Sequence, residues 1–377
     1  MEERKIYTKK YNLIPEVKCR YGYDITESFP LVLSDHKFDK VFIISENVIF
    51  DLYGSDLTEN LEEFGINYEV VLTDLSESKK KLQTVDNICN YLLDHKVTKD
   101  SFIVAFGGGL LCNMAGLCAA LIFRGIRYVE IPTSFLGMTD SSLSNKQAVN
   151  GDSGKNQLGT FYAPEFVWSD IKYTATEKQA HIKAAVIEGI KNTFIQEKQT
   201  LDEMLEIVNV TDTYDKNKLM QLFEIITTSK NNILANDPTE KKYNVVLEYG
   251  HTFGHAIEFL TEGRIIHGQA VAIGMCIAAE ISCMIGKITE EELKLHYDVL
   301  GRLGLGEAEN TDPLKGITPE MILAAIENDN KRRAGGTKYV LLETIGKCVS
   351  ENDEWEMVID KEIVIEGISK AFEKIKK

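Results

Sequence analysis

SFIVAFGGGLLCNMAGLCAALIFRGIRYVEIPTS, residues 101–134, holds the pattern that decides the fold. SFIVAF (101–106) is a short unbroken apolar run and reads as a buried strand. Gly107, Gly108 and Gly109 follow it, and LLCNMAGLCAALIF then has a helical pattern. IRYVEIPTS (126–134) is the next strand. Strand, turn, helix and strand at this spacing form a βαβ unit, whose strands lie parallel. The same rhythm extends toward the N-terminus. VFIIS (41–45) and YEVVLTD (68–74) read as buried strands. Between them lies a helix-like stretch with a cap-like Ser55 before DLTENLEEF. KKKLQTVDNICNYLLDH (79–95) places Leu82, Val85, Ile88, Cys89, Leu92 and Leu93 at a helical period.

The pattern changes toward the C-terminus. From about Thr176 nearly every segment has helical period, as in EKQAHIKAAVIEGIKNTFI, HTFGHAIEFL and GQAVAIGMCIAAEISCMIG. YVLLET (339–344) is a short strand, and KEIVIEGISKAFEKIKK ends the chain as an amphipathic helix. The expected architecture is a parallel-sheet α/β domain over residues 1–172 and a mostly α-helical domain over residues 173–377. No internal repeat or low-complexity linker interrupts it.

The chain has 377 residues, with 42 basic and 58 acidic side chains and a net charge of −16. That charge excludes a nonspecific nucleic-acid binder, which needs a basic face, and argues against docking on anionic lipid. A small anion still fits, provided a local positive pocket overcomes the general field. The seven cysteines include no CxxC pair and read as reduced core thiols. MEERKIYTKKYN lacks an apolar signal region, and the longest apolar runs fall short of a membrane span. A cytoplasmic protein is expected.

Four motifs carry chemistry. Gly107–Gly109 stand between a strand and a helix, where a bare backbone and free N–H groups suit a pyrophosphate. A plain tight turn would look the same, because Cys112 occupies the third-glycine position of GxGxxG. Context favours a nucleotide. Ser45-Glu46-Asn47 ends an earlier strand where a ribose could sit, and Pro132-Thr133-Ser134 ends a later one. DSSLSNKQAVNGDSGKNQLG (140–159), with Lys146, Lys155 and Asn156, reads as a solvated loop or as one binding phosphate and sugar. His251 and His255, four residues apart, share a helix face, and His267 follows. HTFGH has the outer spacing of HExxH, but Thr252 replaces the glutamate, so a zinc protease would lack its base. Glu188, in an otherwise apolar helical face, is the natural third ligand for a divalent ion. Hydrogen-bonded histidines are the alternative. ENDNKRR (327–333), with Lys331, reads alone as a solvated helix end.

Together, GGGLLCNMAG, FRGIRYVEIPTS, DSSLSNKQAVN, GKNQLGTFYAP, VIEGIKN, EYGHTFGHAIE and HGQAVAIGM resemble, in order, the dehydroquinate synthase-like sugar-phosphate cyclases. The resemblance spans about residues 40–335. It implies a Rossmann-like NAD-binding domain followed by a helical metal domain. It implies Glu188, His251 and His267 as ligands of zinc or cobalt. NAD would lie against Asn47, Gly107, Gly108, Gly109, Asn113, Thr133 and Ser134, with Glu77 and Lys80 near the ribose. Asp140, Ser141 and Lys155 would take the nicotinamide and substrate side. Lys146, Asn156, His255 and Lys331 would hold the substrate phosphate, joined by Arg124 from a second subunit of a homodimer. Lys191 and Lys230 would contact the sugar ring. Glu248, Lys146 and His255 would be the catalytic side chains.

Departures from the family pattern narrow the substrate. Dehydroquinate synthases read LLNFGH, with an Arg four residues before the Asn that binds the substrate carboxylate. VVLEYGH puts Glu248 at the Asn and Asn244 at the Arg. A substrate without a carboxylate is therefore expected, since Glu248 would repel one. Asn113, standing where an Asp is usual, and Glu248 both resemble a branch that cyclises glucose 6-phosphate with loss of phosphate. Dehydroquinate synthesis, a sedoheptulose 7-phosphate cyclase and an NAD-dependent polyol or glycerol-phosphate dehydrogenase are the alternatives.

Overall fold

A computed structural model describes residues 5–11, 16–152, 155–196, 198–208, 213–237, 242–262, 264–305, 314–328 and 337–375. The chain forms two compact units, Met1–Lys178 and Gln179–Lys377.

The first unit is built on strands β1 (Tyr7–Tyr11), β2 (Val17–Gly22), β3 (Val41–Glu46), β4 (Tyr68–Thr73), β5 (Phe102–Gly107) and β6 (Arg127–Pro132), with β7 (Lys146–Val149), β8 (Leu158–Phe161) and β9 (Phe166–Asp170). Its helices are α1 (Phe29–Leu33), α2 (Asn47–Glu63), α3 (Leu82–Asp94), α4 (Gly109–Leu121) and α5 (Phe135–Thr139). Seven strands form one sheet in the order β1-β2-β9-β6-β5-β3-β4. Only β1, at the edge, runs antiparallel to its neighbour. The expected strands are present, and β5 and β9 are buried along their whole length, as parallel strands covered on both faces must be. The chain leaves β3 for β4 on one side and reaches β5 on the other, so strand order reverses between β3 and β5. In such sheets the crevice at this reversal, at the carboxyl ends of the strands, takes the ligand. Asn47 and Gly107–Gly109 follow those two strands.

Sequence reading misplaced two elements. The helix expected to open at Ser55 begins at Asn47 and runs straight through. Gly54 is not a break, because it makes room for the Phe50 ring, and Gly54, Leu57 and Leu61 form its buried stripe. The polar stretch 140–159 is not all loop. It contains the antiparallel pair β7–β8, with Lys146 opposite Phe161 and Val149 opposite Leu158. Gln147 and Val149 point inward from β7 while Lys146 is exposed, a strand alternation hidden by polar residues. β1, β2 and β9 also went unread. β9 ends in Asp170, whose buried carboxylate accepts from the backbone of Asp24, Ile25 and Thr26 at 2.7–3.0 Å and so ties the β2 end to the sheet.

The second unit packs α6 (Gln179–Gln196), α7 (Lys198–Ile207), α8 (Lys216–Asn236), α9 (His251–Leu260), α10 (His267–Met284), α11 (Glu290–Gly301), α12 (Pro319–Asn328) and α13 (Lys361–Ile375). A 3-10 turn, Tyr243–Glu248, precedes α9. α10 is at the centre and touches α6, α9, α11 and α13. It has the length and mean hydropathy of a membrane-crossing helix, yet 78% of it is buried within the unit, which makes it a core helix. The expected strand 339–344 is two short pieces, β10 (Lys338–Tyr339) and β11 (Leu342–Thr344), pairing with β13 (Met357–Val358) and β12 (Lys347–Cys348). A continuous strand would send alternate side chains to opposite faces. The interruption lets Tyr339, Val340, Leu341 and Leu342 all be buried.

Candidate active-site residues

In the first unit, strand register brings the expected nucleotide residues to one edge. Ser45 pairs with Phe106 and Gly107 with Pro132, so Glu46-Asn47, Gly107-Gly108 and Thr133-Ser134 emerge together. Thr133 N–H donates to the Gly107 carbonyl at 2.9 Å, and Ser134 caps α5 by accepting from Gly137 N–H at 3.1 Å. A Cβ on Gly107 would strike Leu111, and one on Gly109 would lie 2.6 Å from Ser141 Oγ. A Cβ on Gly108 would meet only Ser134 Oγ, at 3.8 Å, so it would project into open space at the α4 N-terminus. That combination leaves a bare backbone cradle before a helix N-terminus, as a pyrophosphate needs. Glu46 stands beside it. Burial raises its carboxyl pKa, while the Gly108 N–H pulls it back down.

A second cluster surrounds Lys80. Its buried ammonium donates to Asn113 Oδ1 at 3.1 Å and to Asn156 Oδ1 at 2.6 Å. Burial lowers its pKa, Glu77 raises it and Lys155 lowers it further. Asn113 Nδ2 donates in turn to the Lys146 carbonyl at 3.1 Å. Asn150, absent from the expected set, binds Glu77 through Nδ2 at 2.8 Å and receives Asn156 N–H at 2.9 Å. Thus Glu77, Lys80, Asn113, Lys146 and Asn156 meet around the β7–β8 hairpin, with Lys155 exposed beside them. Asp140 and Ser141 follow α5 directly. Arg124 is not brought to them. It lies exposed past the far end of α4, about 20 Å of helix from Gly109. Phe123 and Arg124 both have positive φ, 52° and 68°.

In the second unit, α6, α9 and α10 converge. Glu188 Oε1 lies 3.5 Å from His251 Nε2 and 3.4 Å from His267 Nε2. Two ligands of a tetrahedral ion, each at 2.0–2.1 Å, stand about 3.3 Å apart, so these separations fit a divalent ion among the three. Glu188 Oε1 is buried and, among the described residues, has no hydrogen-bond partner closer than these two imidazoles, as suits an atom facing a cation. Its other oxygen accepts from Lys191 Nζ at 2.6 Å. Burial opposes its charge, yet Lys191 and the two imidazoles hold its carboxyl well below the usual range. His251 is driven down to about 4, chiefly by burial with Lys191. Burial works against charge on His267 too, but the Glu188 and Glu258 carboxylates lift it to about 10.

Glu258 was missed in the sequence. It accepts from His267 Nδ1 at 2.9 Å and leaves Nε2 facing Glu188. The signal was present, since His251, His255 and Glu258 follow one another at four and three residues along one helix face. His255 and Glu258 can also group with His267 around an ion. Glu248 ends the 3-10 turn and is close enough to His251 to raise its pKa. Lys191 and Lys230 are both buried. Asn244 Nδ2 donates to the Asp237 carbonyl at 3.1 Å, so this amide is held within its own turn. Lys331 lies outside the described residues.

Comparison with known proteins finds relatives over most of the chain. A family model for the N-terminal part of 3-dehydroquinate synthase matches residues 70–184, and one for its C-terminal part matches residues 185–332. A 2-deoxy-scyllo-inosose synthase from Niallia circulans is 33% identical over 92% of this chain and 96% of its own. A 3-dehydroquinate synthase from Rippkaea orientalis is also 33% identical, over 88% and 90%. A solved 2-deoxy-scyllo-inosose synthase, complexed with carbaglucose-6-phosphate, NAD+ and Co2+, superposes with a TM-score of 0.89 at 31% identity. That likeness covers 97% of this chain and 99% of the solved one.

Proposed function

The chain belongs to the 3-dehydroquinate synthase family, and on that premise we propose that it is a carbon–oxygen lyase converting glucose 6-phosphate to 2-deoxy-scyllo-inosose with release of phosphate. This is the ring-forming entry to aminocyclitol antibiotics. Overall identity does not choose between the two activities, because both relatives stand at 33%. The turn before α9 supports the inosose synthase reading. Asn244, where dehydroquinate synthases carry the carboxylate-binding Arg, is a neutral amide engaged with Asp237, and Glu248 puts an anion close by. A carboxylate-bearing heptulosonate would meet the Glu248 carboxylate here and, at position 244, an amide in place of the Arg. Glucose 6-phosphate has no carboxylate.

When bound, NAD+ supplies a reversible hydride acceptor and a divalent zinc or cobalt ion supplies Lewis acidity toward the sugar hydroxyls. Glu188, His251 and His267 hold the ion. Asn47, Gly107–Gly109, Asn113, Thr133, Ser134, Glu77 and Lys80 hold the dinucleotide, with Asp140, Ser141 and Lys155 at its reactive end. In the substrate, a ketone at C4 acidifies the C5 proton, and loss of that proton expels phosphate from C6. Glu248 is the proposed base, close enough to His251 to raise its pKa. Lys146, Asn156, His255 and Lys331 neutralise the departing phosphate, and Lys191 and Lys230 fix the ring. Once C4 is again an alcohol, ring opening and an intramolecular aldol close the carbocycle.

A homodimer completes this reading, with Arg124 acting on the partner's phosphate. Leu121 and Phe123 beside it, and Leu158 and Phe161 on the adjoining β8, are exposed apolar side chains suited to a subunit interface. Seven free cysteines fit a cytoplasmic location. Incubation with a panel of sugar phosphates, catalytic NAD+ and Co2+, reading inorganic phosphate, tests the proposal. Release from glucose 6-phosphate without net NADH supports it. Release from the heptulosonate phosphate alone selects dehydroquinate synthesis, and accumulating NADH selects a dehydrogenase.

A further inference from the structure

Asn192 sits on α6, fully buried, and neither its Nδ2 nor its Oδ1 has a hydrogen-bond partner among the described residues. The large majority of buried side-chain polar atoms are paired, so an amide unmatched at both ends needs a reason. Its neighbours supply one. Asn192 is four residues beyond Glu188 and shares its helix face. Glu188 Oε1, there, is also unmatched. The 3-10 turn Tyr243–Glu248 packs against α6, and within it the buried Asn244 Oδ1 is unmatched as well. Lys191, the residue before Asn192, binds Glu188. Unsatisfied polar atoms therefore gather beside the ion-binding carboxylate and on the turn that ends in Glu248.

We infer that Asn192 is a substrate-binding residue whose carboxamide pairs with hydroxyl groups of the sugar ring. The inference rests on the proposed sugar-phosphate reading of this site and extends it to the spectator hydroxyls. The chemistry of the amide selects the ligand. Its NH2 needs acceptors and its oxygen needs a donor. A phosphate or carboxylate satisfies only the NH2, whereas a hydroxyl donates and accepts and can satisfy both. Asn192 thus discriminates for a polyol, while Lys191 and Lys230 supply charge.

The test uses the full-length enzyme with NAD+ and Co2+, comparing wild type with Asn192→Leu, which keeps the bulk of the side chain and removes its polarity. KM for glucose 6-phosphate rises about ten- to hundredfold, as expected for lost buried hydrogen bonds to substrate, with kcat changed less. Without substrate the leucine variant melts about 2–4 °C higher, because an unpaired buried amide has been removed. With 2-deoxy- or 3-deoxyglucose 6-phosphate, wild type loses affinity while the variant loses no more for the hydroxyl that Asn192 holds. Asn192→Ala, smaller and free of clashes, gives the same KM change if leucine does not fold. A lower melting temperature with unchanged KM in both variants overturns the inference, and so do effects that multiply fully with both deoxy sugars. If wild type releases no phosphate from glucose 6-phosphate, the sugar-phosphate reading fails and the inference with it. If wild type is active and the variants match it, only the inference fails.

Discussion

Single side chains in this protein work through their neighbours. His267 faces Glu188 with Nε2 because Glu258 takes its Nδ1–H at 2.9 Å. Carboxylates behind a ligating imidazole fix its tautomer and raise its basicity, and their loss typically costs ten- to hundredfold in metal affinity. Glu258→Gln is expected to weaken Co2+ binding by about that factor, read by competition with a coloured chelator, with the fold intact. Glu177 shows the cost of burying a charge. Its carboxylate accepts from Phe135 N–H at 2.8 Å at the start of α5, yet burial lifts its pKa to about 7. The unfolded chain ionises this group near 4.5, so between 4.5 and 7 the folded state holds the extra proton. Stability from this site therefore falls as pH rises through that window and stays low above it. Glu177→Gln is expected to gain about 2 kcal/mol at pH 8 and almost nothing at pH 4, measured by urea unfolding at both.

Elements carry these side chains with tolerances set by glycine. A Cβ on Gly268 of α10 would lie 2.4 Å from the Ala184 Cα of α6, and backbone cannot swing away as a side-chain tip can. α6 bears Glu188 and α10 begins with His267, so any separation of the helices opens the ligand triad. Gly268→Ala is expected to lose about 1–3 kcal/mol of stability and to weaken metal binding, seen together in thermal melts with and without Co2+. Gly301→Ala in α11, where a Cβ meets nothing within 4 Å, is the control and leaves both unchanged or slightly improved. How much of this was legible in the sequence depended on what each element buries. β3, β5 and β6 were readable because both faces are covered, which leaves continuous apolar runs. β7 was not, because the inward side chain of its first pair is Gln147, a polar residue that bonds Tyr128 Oη at 2.8 Å in place of apolar packing. Ser55 resembles a cap because it stands directly before DLTENLEEF, and the Phe50 ring over Gly54 shows why α2 instead runs through it. The ion triad was legible through its histidine spacing. Asn192 was not, since an unmatched amide is visible only once its surroundings are known.

At the scale of the whole molecule, the charge of −16 and the proposed phosphate substrate are compatible because the two act at different ranges. Charges more than about 8 Å apart in physiological salt are largely screened, so the bound ester senses the local cations. Lys80 in the first unit, and Lys191 and Lys230 in the second, are each at least 95% buried, where salt screens a charge only weakly. Arg124 stands the length of α4 away from Gly109 within its own unit. Its positive φ and exposure suit an arm presented to another subunit. The proposed dimer can therefore be tested by complementation. Arg124→Ala and Glu248→Gln are each expected to release little phosphate alone. When the two variants are unfolded together and refolded as a mixture, half the dimers are mixed. In each mixed dimer one site combines an intact Glu248 with an intact Arg124 from the partner. Phosphate release should return to roughly a quarter of the wild-type value. Recovery of that size requires Arg124 to act across the subunit boundary. No recovery, with dimers intact by sedimentation, places Arg124 in its own subunit's site and removes the proposed reason for the dimer.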